Sequence, residues 1–178
     1  MGTMQNRSGR MVYLGIDPGP VESAFVWWDS ESERVIKLES IPAFRITTHT
    51  LKGLLREVDH VSMEWIECFG MAVGQEMFRT VAGIGWFASL LSDFDKPLRL
   101  VPRRAVKLHL CNSMRAKDAN VRQALIDRFG KVGTKKQPGK LYGVATHFWA
   151  ALGVAVYSAD VFDPSQFWIE DLRNKAGK

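Results

Sequence analysis

Three strand-like runs follow one another at the start of the chain, over residues 11–16, 23–28 and 34–41. The first ends at Asp17-Pro18-Gly19-Pro20, where proline and glycine must stop a strand. The second closes at Asp29-Ser30. The third alternates Val35, Lys37 and Glu39 against Ile36, Leu38 and Ser40, the pattern of a half-exposed strand. Runs this close together fit a meander. The pattern then changes to a short helix over 51–58, a strand over 61–66, a proline-free helix over 73–91 and a strand over 98–101 between Pro97 and Pro102. Helices over 104–111 and 118–129 follow, the second ended by Gly130. A polar, lysine-rich loop over 130–143 leads to an apolar helix over 146–157. Three consecutive strands followed by alternating helix and strand predict an α/β fold, a mixed five-stranded sheet flanked by helices. The chain reads as one domain over 11–160, with residues 1–10 a disordered N-terminal tail and 161–178 a C-terminal tail.

Charge is distributed unevenly. Of the 24 lysines and arginines, twelve fall between Arg99 and Lys140, opposed there only by Asp118 and Asp127. The chain as a whole carries +5, so the remainder is net acidic. A basic segment on an acidic body is an electrostatic footprint for a polyanion. Other classes are disfavoured. No apolar run reaches transmembrane length, and the polar first ten residues lack the apolar stretch of a signal peptide. Cys68 and Cys111 lie far apart and read as buried free thiols in a reducing cytoplasm. These features predict a cytoplasmic protein with no membrane contact.

Two carboxylates stand out. Asp17, at the end of the first strand, would be held by a rigid element yet face past the sheet edge. A metal ligand and a turn-capping aspartate before Pro-Gly both fit it. Glu64 lies within Val61-Ser62-Met63-Glu64-Trp65-Ile66. A glutamate in an apolar strand is costly unless paired or metal-bound. The competing carboxylate, Glu67, falls past the strand.

The first strand ending in Gly15-Ile16-Asp17-Pro18-Gly19 resembles the RuvC-type Holliday junction resolvases, as does the apolar-Glu-x-apolar pattern around Glu64. The long helix that follows and the small-residue helix Ala151-Leu152-Gly153-Val154-Ala155-Val156 extend the likeness. The stretches Lys107-Leu108-His109-Leu110-Cys111 and Arg115-Ala116-Lys117-Asp118-Ala119-Asn120-Val121-Arg122 are similar to phage and prophage proteins of RuvC-like type. The resemblance implies an RNase H-like fold, a homodimer, and an acidic cluster binding two Mg²⁺ or Mn²⁺ ions per active site. It puts His147 at the family's penultimate ligand position and Ala150 where the family carries an aspartate. The missing carboxylate is a departure that either reflects divergence or impairs cutting.

His147, in the first turn of its helix, would face a dipole that disfavours imidazolium, leaving the neutral ring a metal needs. The competing reading is a histidine that simply lines that turn. Asp118 could restore the fourth carboxylate, or be a helix-start residue paired with Arg122 at i+4. Lys107, Arg115, Lys117 and Arg122 read as phosphate contacts, and Lys135, Lys136 and Lys140 as a phosphate-gripping loop. The 73–91 helix is apolar nearly all round. Met77, Val81, Ile84, Ala88 and Leu91 make one stripe and Phe78, Ala82, Gly85 and Trp86 another, so its second face needs a partner.

Three functions follow from these readings. The first is a metal-dependent endodeoxyribonuclease cutting four-way junctions or other branched DNA, with Asp17, Glu64, His147 and Asp118 as catalytic metal ligands. The second is a protein of the same fold that grips branched DNA without cutting. The third is an actin-like phosphotransferase, whose first phosphate loop also follows Gly-Ile-Asp. It ranks last, because the second lobe of that class does not fit within 178 residues.

Overall fold

The first strand, β1 (Val12–Asp17), lies at the centre of the sheet, and its residues are buried up to the final aspartate. The computed structural model describes residues 10–161 apart from 69, 71, 95 and 97. Of the segments read as tails, 1–10 and 161–178, residues 1–9 and 162–178 lie outside the described residues. β2 (Glu22–Asp29) pairs antiparallel with β1, and β3 (Arg34–Pro42) antiparallel with β2, which is the expected meander. After α1 (Thr48–Leu54), β4 (His60–Trp65) joins the other side of β1 in parallel. α2 (Gln75–Leu91) crosses to β5 (Leu98–Pro102), parallel to β4 at the opposite edge. The sheet order is β3-β2-β1-β4-β5. α3 (Arg103–Cys111), α4 (Asp118–Phe129) and α5 (Phe148–Asp160) complete the described residues.

Alternation along the strands sorts side chains into two cores. Val12, Leu14 and Ile16 of β1 pack with Val61 and Met63 of β4 under Leu51, Leu54, Ile84, Phe87 and Leu91 of α1 and α2. Tyr13, Val26, Trp28 and Val101 pack on the other face against α3, α4 and α5. β3 is an edge strand, half-exposed as its mixed pattern predicted.

Gly15 fixes how α5 lies on β1. A Cβ there would come within 2.1 Å of the Ala151 carbonyl oxygen and 2.8 Å of the Ala155 backbone nitrogen. Only glycine lets the helix backbone approach the strand this closely.

Several expectations shift. The first helix starts earlier than 51–58, because the Thr47 side chain accepts a hydrogen bond from the Thr50 backbone N–H and caps it. On α2 the buried face is Thr80, Ile84, Phe87, Ala88 and Leu91, while Phe78 and Trp86 of the second stripe stay exposed. Cys68 is exposed rather than buried. Among the described residues, no helix is long and apolar enough to cross a membrane.

Candidate active site

The parallel pairing of β1 and β4 determines what meets at the sheet edge. Ile16 lies opposite Met63, so one step further along both strands come Asp17 and Glu64. Both fall on the α5 face, opposite the apolar partners that precede them, and both reach the C-terminal end of parallel strands, where open α/β sheets present their ligand sites. β5 adds a third contribution. Trp65 pairs with Pro102, and the next residue is Arg103, the first of α3.

A pocket of about 150 Å³ forms here, lined by Asp17, Glu64, Arg103, Lys107, Asp118, Thr146, His147 and Ala150 over an apolar floor of Val106, Val121, Trp149 and Val154. The four expected ligands, Asp17, Glu64, Asp118 and His147, therefore share one cavity. Asp17 and Glu64 are the buried pair, with side chains 19% and 9% exposed. Their carboxyl groups share a hydrogen bond. Desolvation penalises the charged form of each, and Glu64 is pushed up to about 8, with the adjacent Asp17 charge adding to the effect and Arg103 opposing it. Asp17 is raised as well, chiefly by burial. Burial and mutual repulsion thus favour a proton retained by the pair in the absence of a cation.

His147 precedes α5 as its N-cap instead of lying within the first turn, and its Nδ1 stands 3.9 Å from an Asp17 carboxylate oxygen. Thr146, just before it, has φ of +43°, a left-handed conformation that is strained for a β-branched residue. Asp118 opens α4 as expected, but its partners come from α3. Arg103 Nη2 is 2.8 Å and Lys107 Nζ 3.3 Å from its two oxygens. Arg122 instead lies over the Trp149 ring, 5.2 Å from its centroid. Glu67 is held by Arg104 at 3.0 Å, on an open groove that continues from the pocket past Trp65 and Met114.

Arg103 was not among the residues singled out from sequence. It bonds Glu64 at 3.3 Å as well as Asp118, so it ties the buried carboxylate to the exposed one. The available signal was a basic residue directly after the fifth strand, next to the strand carrying Glu64.

The basic residues divide into two groups. Lys107, Arg115 and Lys117 lie on or next to the pocket-side ends of α3 and α4. Lys135, Lys136 and Lys140 lie at the other end of the sheet. There Lys140 pairs with Glu33 at 3.0 Å and its carbonyl accepts from the Val35 N–H, beside the β2–β3 turn. That turn adjoins Asp29, opposite Val12, whereas Asp17 lies opposite Ala24. The C-terminal end of α4 reaches the same region, where Phe129 packs on Trp28.

The donor set suits a hard divalent cation, since two carboxylates are buried together, backed by a third and an imidazole. As they stand, no three Asp, Glu, His or Cys side chains among the described residues are drawn closely enough to hold a metal. A shared proton and the Arg103 guanidinium balance the charge instead.

No protein-family model matches the sequence, and no curated protein does. Solved structures do match. RuvC of Thermus thermophilus superposes with a TM-score of 0.65 at 17% identity, over 88% of this chain and 98% of that one. The same protein in complex with a Holliday junction substrate gives 0.63 at 18% identity, over 84% of this chain and 93% of that one. At these identities the likeness is one of architecture, and the chain has the RNase H-like α/β fold.

Proposed function

We propose that this chain is a divalent-cation-dependent endonuclease that hydrolyses phosphodiester bonds in branched DNA. The observation that carries this reading is the buried, hydrogen-bonded pair Asp17–Glu64 at the C-terminal edge of parallel strands, open to a cleft flanked by basic side chains. Burying two acids together is destabilising, and such costly arrangements concentrate at functional sites. Asp17 and Glu64 would hold the cations, with His147 and Asp118 completing the set. When bound, two such ions supply activation of water and stabilisation of the leaving oxygen.

The chain's own groups do the rest. Asp17 and Glu64 would serve as donors in their ionised forms, with any proton held by the pair released to solvent. Lys107, Arg115, Lys117 and Arg122 hold phosphates on either side of the cut, as point charges that position the strand. The apolar floor of Val106, Val121 and Val154 limits water behind the carboxylates. The likeness to a protein solved with a Holliday junction supports branched DNA as substrate. The exposed stripe Phe78–Trp86 on α2 supports pairing of two copies, which would let two strands be nicked symmetrically.

The test is incubation of labelled four-way junction, linear duplex and RNA–DNA hybrid with Mg²⁺, with Mn²⁺ and with chelator. Cutting of the junction that needs the cation, and that Asp17→Asn and Glu64→Gln abolish while junction binding persists, is the expected result. Undiminished nicking by Asp17→Asn would overturn the assignment. The second reading, a protein that binds branched DNA without cutting, is favoured by Ala150 in the pocket where a resolvase would carry an aspartate. Tight junction binding with no nicking in either cation selects it, and restored cutting by Ala150→Asp would identify the cause.

A further inference from the structure

We propose that Arg103 is a built-in counter-ion that competes with divalent cations for the carboxylates, so that loading the site requires its guanidinium to leave Glu64 and Asp118. The inference rests on the reading of the pocket as a cation site. Arg103 is anchored at the sheet edge by the turn from β5 into α3, while its head group spans the pocket mouth. Nε meets Glu64 Oε1 at 3.3 Å and Nη2 meets Asp118 Oδ2 at 2.8 Å. Its charge also acts on Asp17.

The guanidinium therefore contacts two of the acidic groups that a cation would take, Glu64 and Asp118, and acts on the third, Asp17, through its charge. It cannot withdraw by losing a proton, because arginine stays protonated in proteins. It has to move. The side chain is 52% exposed, so it can swing outward without unpacking the core. Asp118 is also paired with Lys107 at 3.3 Å, so its charge stays partly balanced while Arg103 moves away. A planar guanidinium at the cleft mouth is well shaped for a phosphate oxygen pair, and an incoming strand gives it a destination.

Cation affinity in the absence of DNA is the direct readout. Mn²⁺ is titrated calorimetrically into the wild type, Arg103→Gln, Arg103→Lys and Asp17→Asn, each first checked for an intact thermal transition. Arg103→Gln removes the competing charge and is expected to bind Mn²⁺ about tenfold more tightly, the scale of one partly screened charge at close range. Arg103→Lys keeps the charge and stays near wild type. Asp17→Asn loses the binding. Equal or weaker Mn²⁺ affinity in Arg103→Gln, with wild-type binding still abolished by Asp17→Asn, overturns the competition and leaves the cation site standing. Absence of any Asp17-dependent binding in all four proteins overturns both.

Discussion

Replacing Glu64 by glutamine is expected to stabilise the cation-free protein, and to do so only above acidic pH. Glu64 ionises near 4.5 in an unfolded chain and is pushed up to about 8 in the fold. Between those values the folded state holds a proton that the unfolded state has released. Stability is therefore full below the lower value and falls as pH rises through the upper one. Each unit of that window is worth about 1.4 kcal/mol, which caps the loss at about 5 kcal/mol. Glutamine has no charge to desolvate, and its amide can donate to Asp17 as the protonated acid does. The ion pair lost with half-exposed Arg103 offsets less than about 1 kcal/mol. We expect a net gain of about 2–4 kcal/mol at about pH 8.5 and under about 0.5 kcal/mol at about pH 5. Urea unfolding in chelator at both pH values measures this. Parallel pH dependence in the two proteins, or a loss of stability in the variant at high pH, would refute the reasoning. With Mg²⁺ present the order should reverse, because only the wild type gains the binding free energy of the cation.

Gly15→Ala should destabilise the fold by about 3 kcal/mol, the upper range for overpacking, since its Cβ meets helix backbone at 2.1 Å and no flexible side chain can yield. Thermal melting tests it, and cutting should fall more than stability alone explains, because α5 carries His147 away from Asp17. Thr146→Gly should raise stability by about 1 kcal/mol by relieving the φ of +43°, and a drop in the melting temperature would contradict that strain. Replacing Lys135 and Lys136 by alanine should lower the salt slope of DNA affinity by about two units. Adding Lys140→Ala should change the slope little, because that ammonium is already paired with Glu33.

The order of elements could be read because proline, glycine and residue alternation are local signals, and Asp118–Phe129 was found with its bounds unchanged. Glu64 could be read because an acid in an apolar strand is costly wherever it lands. Other features depend on which strands become neighbours. Arg103 acquires meaning only once β5 lies beside β4, which no local pattern specifies. The same holds for Asp118, whose i+4 arginine was the nearest partner along the chain, whereas α3 supplied two cations from across the turn. The exposure of the Phe78–Trp86 stripe follows from how α2 rolls on the sheet, and its all-round apolarity left that rotation open.

The two basic groups stand at opposite ends of α4, whose 12 residues span about 18 Å. A duplex turns once in about 34–36 Å. For a nuclease of the kind proposed, α4 is then a spacer of about half a turn between the strand being cut and the lysine loop. Phosphates reached from its two ends would lie about five base pairs apart along the arm that carries the cut. Inserting one helical turn into α4 would move the loop by about 5 Å, or one to two base pairs, and shift the footprint without touching a carboxylate.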